Sequence, residues 1–333
     1  MPDIVRMTLD EATTLCERSA IAAGASPEVA LSLARSAVAA EADGQAALGV
    51  SHFIDYLDAL KAGRMDGGAV PEITQPAPAI ILSDAKGGAA HPGFDAAFEK
   101  LVETANTFGI AFFTQRNAYT CGALGYFVGR LAARGLAGLA ATNGPPLLAG
   151  SGSTKPVYCT NPMAFAAPVA SGPPLVIDQS SSATAFVSLR AAAKRGETIP
   201  AGWAIDAEGR PTTDPFAAMK GALLAFGGGR GANIALMVEV LAAGFNGANW
   251  SLDAPSFDAG AEGPGTGMTV IAIAPRLIDP DFEARLARQI ERLSGEYGVH
   301  IPGRAKANAR ERLLREGLEI PRAVHDRIAG VKS

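Results

Sequence analysis

Apolar residues recur at helical spacing through the first sixty residues of the chain. Thr8 followed by Glu11 fits a capping box, and Pro27 stands where the first turn of a second helix would begin. A third helix is predicted over residues 51–62, whose apolar side chains share one face. Residues 1–70 are therefore predicted to form a helical module.

Beyond residue 70 the apolar pattern changes to short continuous runs that alternate with helical stretches. Such runs, bounded by turn residues, predict buried strands covered by helices, which is the α/β class. We expect residues 71–278 to form this α/β domain, and residues 279–333 to form C-terminal helices that pack back on the helical module. The predicted strands include residues 79–82, 110–113, 136–142 and 268–274.

The central stretch, residues 157–185, carries the most suggestive polar cluster. An apolar run there is predicted to be a buried strand that ends on Asp178, and serines follow from Ser180 to Ser182. Open α/β sheets present their chemistry at strand tips of this kind. Two structural alternatives remain: Asp178 forms an Asx-turn or caps the helix predicted from Ala183, and the serines serve as caps.

A glycine-rich loop, residues 227–231, precedes an apolar helix and contains Arg230. Free backbone N–H groups at a helix start can hold a phosphate or carboxylate. A tight turn that allows close helix packing is an equal alternative. The loop over residues 246–266 is too long for a simple connection, so we expect it to border a site or an interface.

Among the four histidines, His52 is the candidate for chemistry, because it lies beside Asp55 at a helix start, within reach of a cleft between module and sheet. A partly buried structural histidine is the alternative. His91 and His325 are expected to be exposed. Histidines and carboxylates nowhere show metal-ligand spacing, and the pattern predicts no metal site.

The composition of the chain indicates which classes of binding partner it can have and where in the cell it is found. The chain has 333 residues and a formal net charge of −4, so it offers no basic field for nucleic acid or an anionic membrane. A small diffusible partner is expected. The sequence shows neither a signal-peptide pattern nor an apolar run of membrane-spanning length, which predicts a cytoplasmic protein. Its three cysteines are too far apart to indicate a disulfide framework or a zinc site.

Four stretches are informative in combination: residues 160–168, 174–178, 202–215 and 231–239. Taken together they resemble the malate/L-lactate dehydrogenase family, which is unrelated to the Rossmann-type lactate and malate dehydrogenases. The likeness extends over nearly the whole chain. It implies a homodimeric, non-Rossmann α/β enzyme that moves a hydride between NADH or NADPH and C2 of a small carboxylate. Substrates in the family are malate, lactate, sulfolactate, ureidoglycolate, a keto-gulonate, and the cyclic imines pyrroline- and piperideine-2-carboxylate.

The resemblance also implies a set of cofactor contacts, with Thr160 and Asn161 near the nicotinamide. Arg230 stands where the family commonly has lysine. The choice between NAD and NADP stays open, because Arg230 and Arg304 could meet either a 2′-phosphate or the pyrophosphate. The implied cofactor-binding residues are Thr160, Asn161, Ile177, Asp178, Gln179, Ser180, Ser182, Gly229, Arg230, Gly303 and Arg304.

The catalytic positions implied by the resemblance have different residues here. The family pattern is Ser-His-Gly followed shortly by Arg, where histidine gives the proton and arginine grips the carboxylate. This chain has Leu48 at the histidine position and His52 at the arginine position, and Thr120 replaces a second family histidine. The family's usual acid is therefore absent.

This loss leaves several hypotheses open. A positioned acid contributes roughly 10²–10⁴-fold to ketone reduction, whereas a cyclic imine can arrive already protonated as an iminium. The chain either reduces a C=N substrate or uses His52, Tyr119 or Asp178 as a replacement acid. A rival hypothesis is a member that binds cofactor or metabolite without catalysis. A hydrolase is disfavoured, because the sequence shows no activated nucleophile.

Overall fold

The N-terminal segment begins with the helices that its sequence predicts. The computed structural model describes residues 3–332. Thr8 is the N-cap of helix α1: its hydroxyl accepts from the Glu11 N–H at 3.2 Å, and the Glu11 carboxylate accepts from the Thr8 N–H at 2.7 Å. The capping box is thus confirmed, as is Pro27 in the first turn of α2. The elements are β1 (Ile4–Met7), α1 (Leu9–Ala22), α2 (Pro27–Ala42), a 3₁₀ turn (Ala46–Leu48) and α3 (Phe53–Lys61).

A seven-stranded mixed sheet forms the centre of the molecule, in the order β2-β3-β4-β13-β5-β8-β9. Strands β3 and β4 are parallel, and the other neighbours are antiparallel. Phe94, Phe113 and Phe127 are fully buried where two helices, α4 (Ala90–Phe108) and α5 (Leu124–Ala132), pack against the strands. The strands are β2 (Glu72–Ala77), β3 (Ile80–Asp84), β4 (Ile110–Ala118), β5 (Ala137–Thr142), β8 (Met163–Ala167), β9 (Leu175–Gln179) and β13 (Thr266–Ile273).

A smaller five-stranded sheet has the order β11-β10-β12-β6-β7 and is covered by its own helices. Helix α8 leads from this sheet into a π-helical turn, Val240–Gly244. The elements of this part are β6 (Leu148–Ala149), β7 (Pro156–Tyr158), α6 (Phe186–Arg195), β10 (Ala204–Ile205), β11 (Pro211–Thr212), α7 (Pro215–Lys220), β12 (Ala222–Leu223) and α8 (Gly229–Glu239).

The C-terminal segment returns to the N-terminal module through a strand and a helix that the sequence pattern did not predict. Strand β14 pairs antiparallel with β1, and α11 packs on α1 and α3. The expected mixed α/β fold, with C-terminal helices packing back, is confirmed. The domain boundaries at residues 70 and 278 remain a prediction. The last elements are α9 (Phe282–Glu296), α10 (Arg304–Glu316), β14 (Leu318–Pro321) and α11 (Arg322–Ala329).

Two sequence predictions are wrong in their local detail. Strand β9 is the edge of the large sheet and is partly exposed rather than buried, and its pairing with β8 continues one residue past Asp178. His91 is completely buried rather than exposed, because α4 begins at Ala90 and turns the imidazole towards Phe127. Within residues 3–332, the helices are all too short or too polar to cross a membrane.

Candidate active site

Asp178 joins three elements that are distant in the sequence. One of its carboxylate oxygens accepts from the Gly125 N–H at 2.8 Å, in the first turn of α5, and from the Gln45 side-chain amide at 3.4 Å, just before the 3₁₀ turn. A Cβ on Gly125 would lie 3.1 Å from that oxygen, so glycine permits the close approach. Asp178 therefore holds the 3₁₀ turn and α5 against β9, and it does not cap the helix that follows.

The 3₁₀ turn that carries Leu48 is anchored to α2. The Glu41 carboxylate accepts from the Val50 N–H at 2.9 Å, and burial raises the pKa of this carboxyl. A Cβ on Gly49 would lie 2.2 Å from a Glu41 oxygen and 3.0 Å from the Glu41 Cα, so a side chain there would displace the Glu41 carboxylate. The turn is thereby held in one place, and it presents the partly buried, apolar side chain of Leu48 where the resemblance implies an acid.

His52 stands at the start of α3 and forms a pair with Asp55. Its Nδ1 lies 2.9 Å from the Asp55 carboxylate, and 21% of its side chain is exposed. The hydrogen bond from His52 lowers the pKa of Asp55. A carboxylate on Nδ1 orients the ring, so Nε2 is left to hydrogen-bond a bound group. Its ring lies edge-on to Tyr56 at a centroid distance of 5.0 Å.

The loop that follows β4 carries Tyr119 and Thr120. It is held by backbone hydrogen bonds, including one from the Tyr119 N–H to the Gly88 carbonyl at 2.9 Å. The Tyr119 hydroxyl donates to the Phe257 carbonyl at 2.8 Å, and burial raises its pKa. This hydroxyl is thus already engaged in holding the long loop 246–266, which makes Tyr119 the weakest of the three replacement acids.

Thr160 and Asn161 belong to a buried hydrogen-bond network. The Thr160 carbonyl accepts from the Ser181 N–H at 2.8 Å. The Asn161 side chain is fully buried and donates to the Ala235 carbonyl at 2.8 Å and to the Glu239 carboxylate at 2.7 Å. Asn161 has a positive φ of 37°, a conformation that these bonds help to hold. The network links Thr160 to α8.

The start of α8 fits an anionic group. The helix begins at Gly229 without a side-chain cap, so its first N–H groups remain free. Arg230 is exposed and forms no ion pair within the described part of the chain. An isolated bridge between Ser182 and Ala225 brings the serine cluster beside this loop. A dinucleotide phosphate could therefore be bound by the helix start, with Arg230 and Ser182 nearby.

The turn at Gly303 lies against the other side of the same segment. Gly303 has a φ of 88°, and a Cβ there would lie 2.9 Å from the Val176 nitrogen. The close approach places the Gly303 turn against β9, and the Arg304 guanidinium donates to the Ser294 hydroxyl on α9 at 3.0 Å. Ile177 and Gln179 follow Val176 on the strand. The predicted cofactor residues therefore border one continuous segment, from β9 through Ser182, with α8 at one end and the Gly303 turn at the other.

Sequence reasoning missed Gln45, Gly125 and Glu239. Gln45 and Glu239 form hydrogen bonds with residues far away in the sequence, and the pattern of apolar and polar residues around them does not predict those partners. A glycine early in α5 was the one available signal, because glycine inside a helix often marks a close approach. Among residues 3–332, groups of three or more potential metal ligands are absent.

Comparison with known proteins shows which enzymes this chain resembles in sequence and in fold. A piperideine-2-carboxylate reductase from Pseudomonas syringae superposes with a TM-score of 0.94 at 34% identity, covering 98% of this chain and 99% of that one. A pyrroline-2-carboxylate/piperideine-2-carboxylate reductase from Pseudomonas aeruginosa is 36% identical over 97% of this chain and 98% of its own length. An NADP(+)-dependent (2R)-3-sulfolactate dehydrogenase from Chromohalobacter salexigens is also 36% identical, covering 97% and 96%.

These similarities, together with the fold, define a nicotinamide-dependent oxidoreductase of a non-Rossmann α/β type. The chain belongs to the malate/L-lactate dehydrogenase family, whose model matches residues 7–329. The family and the enzyme class expected from the sequence are thereby confirmed. The comparisons do not test the roles of individual residues, which remain predictions.

Proposed function

We propose that this chain is an NAD(P)H-dependent reductase acting at C2 of a small carboxylate, with a preference for a cyclic imine over a keto acid. The main support is the combination of an apolar Leu48 and of Thr120 at the two positions where the resemblance implies histidine. An iminium carries its proton before hydride arrives, so its reduction builds no alkoxide charge that an acid must relieve. The relatives named above include reductases of such imines.

The remaining family reactions stay within the proposal as alternatives. A malate-, lactate- or sulfolactate-like acid would need a proton from the protein, and His52 is the best-placed donor because Asp55 orients its ring. Asp178 accepts hydrogen bonds from two donors, which suits a positioning role better than acid catalysis. A non-catalytic, cofactor-binding member is the second alternative.

In this proposal His52 binds the substrate carboxylate in the place of the family's arginine. The Asp55 carboxylate orients the ring through Nδ1, and a hydrogen bond from Nε2 would orient the substrate acid. Leu48 would pack against the apolar ring of the substrate and exclude water. Bound NADH or NADPH supplies the hydride, and Thr160 lies at the side where the resemblance implies the nicotinamide.

The cofactor would lie along the segment from Ile177 to Ser182. The Gly303 turn and Arg304 would contact one end, and the α8 start with Gly229 and Arg230 would bind phosphate at the other. Asn161, being fully buried, would position Thr160 and α8 rather than contact the cofactor itself. Substituting Arg230 and Arg304 separately by glutamine, with KM measured for both cofactors, tests which arginine meets a 2′-phosphate.

The substrate experiment compares pyrroline-2-carboxylate, piperideine-2-carboxylate, pyruvate and oxaloacetate, each with NADH and NADPH, by loss of cofactor absorbance. We expect the imines to give the higher kcat/KM. Turnover of keto acids alone would rule out the imine preference. Binding of NADPH without turnover of any substrate would favour the non-catalytic alternative.

We also propose that the chain forms a cytoplasmic homodimer. Large apolar side chains are exposed along α8 and the segment after it, an exposure that is unusual for a monomer. Light scattering should give twice the 34.0 kDa chain mass, and Met237→Glu should shift it towards the monomer. A monomeric wild-type protein would contradict the proposal, and cell fractionation tests the location. The exposed residues are Leu236, Met237, Val240, Phe245, Trp250 and Leu252.

A further inference from the structure

The long loop 246–266 is fixed at both of its ends. The side chain of Asn143, which is 5% exposed, donates to the Asn249 carbonyl at 2.8 Å and accepts from the Gly267 N–H at 2.9 Å. The Asn249 N–H also donates to the Gly265 carbonyl at 3.1 Å. A loop whose ends meet in this way is an Ω-loop, a type that is packed by its own side chains and is frequently functional. We therefore expect the middle of the loop to hold a defined position.

The middle of the loop is anchored by Phe257. Its carbonyl accepts from the Tyr119 hydroxyl at 2.8 Å and from Arg64 Nε at 3.1 Å. Its ring is partly buried against the hydrophobic core of the helical module and lies edge-on to the Tyr119 ring at a centroid distance of 5.9 Å. Phe257 therefore holds the residue that precedes Thr120, which stands at the position of a family histidine.

The same ring reaches the other side of the site. A Cβ built on Gly144 would lie 2.9 Å from the ring tip, Phe257 Cζ, and 3.1 Å from Cys159 Sγ, so the ring and Cys159 both pack closely on Gly144. The loop also holds Cys159 directly, because the Cys159 N–H donates to the Ser251 hydroxyl at 3.1 Å. Cys159 precedes Thr160, where the resemblance implies the nicotinamide.

Hydride transfer depends steeply on the distance between the donor and acceptor carbon atoms. A misplacement of about 1 Å, even one that starts far from the reacting groups, costs about 100-fold in rate. The two sides of this site belong to different loops, so their spacing is kept within about 0.5 Å only if packed groups hold both of them. Phe257 contacts both sides, through its carbonyl on one and its ring on the other.

We propose that Phe257 is a positioning residue of the reductase: by holding Tyr119 with its carbonyl and Gly144 with its ring, it fixes the spacing between the substrate side and the nicotinamide side of the site. The inference rests on the proposed function, because that function defines the two sides. The reaction itself is unchanged, since a hydride passes from bound NADPH to C2 and the electron pair of the C=N bond passes to nitrogen. Phe257 is assigned no contact with the reacting atoms.

The kinetic test uses Phe257→Leu, which removes the ring tip and keeps the carbonyl. With a cyclic imine, kcat and kcat/KM should fall together by about 10-fold or more, while KM for NADPH stays within about 3-fold, because the loss lies in the transfer step and not in binding. The primary isotope effect with C4-deuterated NADPH should rise, because hydride transfer then limits the rate. Phe108→Leu, at a phenylalanine that is 55% exposed at the end of α4, is the matched control and should behave as wild type.

A second variant tests the same contact from the opposite partner. Gly144→Ala adds a methyl group where the ring tip lies, and Gly144 has no positive φ that alanine would strain. This variant alone should slow hydride transfer in the same way. Combined with Phe257→Leu, whose shorter side chain leaves space for the methyl group, it should be faster than either single variant. Losses that add in the double variant would overturn the packing role of the ring.

Crystal structures of the cofactor-free proteins give a measurement that does not depend on turnover. In Phe257→Leu, or in Gly144→Ala if the first variant does not fold, the distance between the Cα atoms of Thr120 and Thr160 should differ from wild type by more than about 0.5 Å. An unchanged distance, or wild-type kinetics in Phe257→Leu, would overturn the proposal. Wild-type protein that reduces none of the substrates would instead refute the proposed function, and the structures would still decide whether Phe257 sets the spacing.

Discussion

Glu239 is the buried carboxylate on which the Thr160 side of the site depends. It is 4% exposed and accepts from the Asn161 amide at 2.7 Å and from the Ser251 hydroxyl at 2.8 Å, and it also accepts from the Ser251 N–H. We predict that Glu239→Ala destabilises the protein strongly and disturbs cofactor binding at the same time.

The magnitude follows from the donors that the substitution leaves without acceptors. One N–H of Asn161 and the backbone N–H of Ser251 would remain buried and unpaired, whereas the Ser251 hydroxyl can rotate. The Asn143 amide, 3.5 Å from Glu239, keeps its shorter bond to the Asn249 carbonyl at 2.8 Å. Each orphaned donor costs about 1–3 kcal/mol, which gives a loss of about 2–6 kcal/mol in the free energy of unfolding. Asn161 would also lose one of the two bonds that hold its positive φ.

Urea unfolding monitored by circular dichroism measures the stability, and KM for NADPH reports on the site. The exposed Glu208→Ala is the matched control, for which a change within about 0.5 kcal/mol is expected. A loss below 1 kcal/mol in Glu239→Ala would refute the reasoning. If stability falls strongly but the KM for NADPH of the folded protein is unchanged, Glu239 stabilises the fold without affecting the cofactor site.

Three further predictions concern the active site. Leu48→His should raise kcat/KM for keto acids by about 10-fold or more, through a new proton donor, while the imine rates change little; unchanged keto acid rates would count against this position. Gly303→Ala should raise KM for the cofactor, because its Cβ would meet Val176 at a positive φ; an unchanged KM would remove this turn from the binding site. The third is an acid-stability difference. The hydrogen bond from His52 lowers the pKa of Asp55, so its stabilisation is present above the unfolded carboxyl pKa of about 4 and is lost as pH falls through the lower folded value. Unfolding curves of wild type and Asp55→Asn should therefore converge below about pH 3, and a constant gap would contradict the assignment.

Local sequence signals determined much of the fold. The capping box at Thr8 and the proline at residue 27 predict helix starts, because caps and φ restrictions act between neighbouring residues. Apolar runs that alternate with helical stretches predict the α/β class, because the periodicity of a strand or a helix is also set by residues close together in the sequence. The family likeness and the replaced residues at positions 48, 52 and 120 can likewise be read from the printed sequence.

The tertiary structure alone decided which distant groups meet. Strand β14 pairs with β1 from the far end of the chain, and Asp178 accepts from Gly125 instead of capping the next helix. His91 is buried because α4 turns it towards Phe127 and Tyr56. Burial and hydrogen-bond partners depend on packing between segments far apart in sequence, and periodicity along one segment does not contain that information.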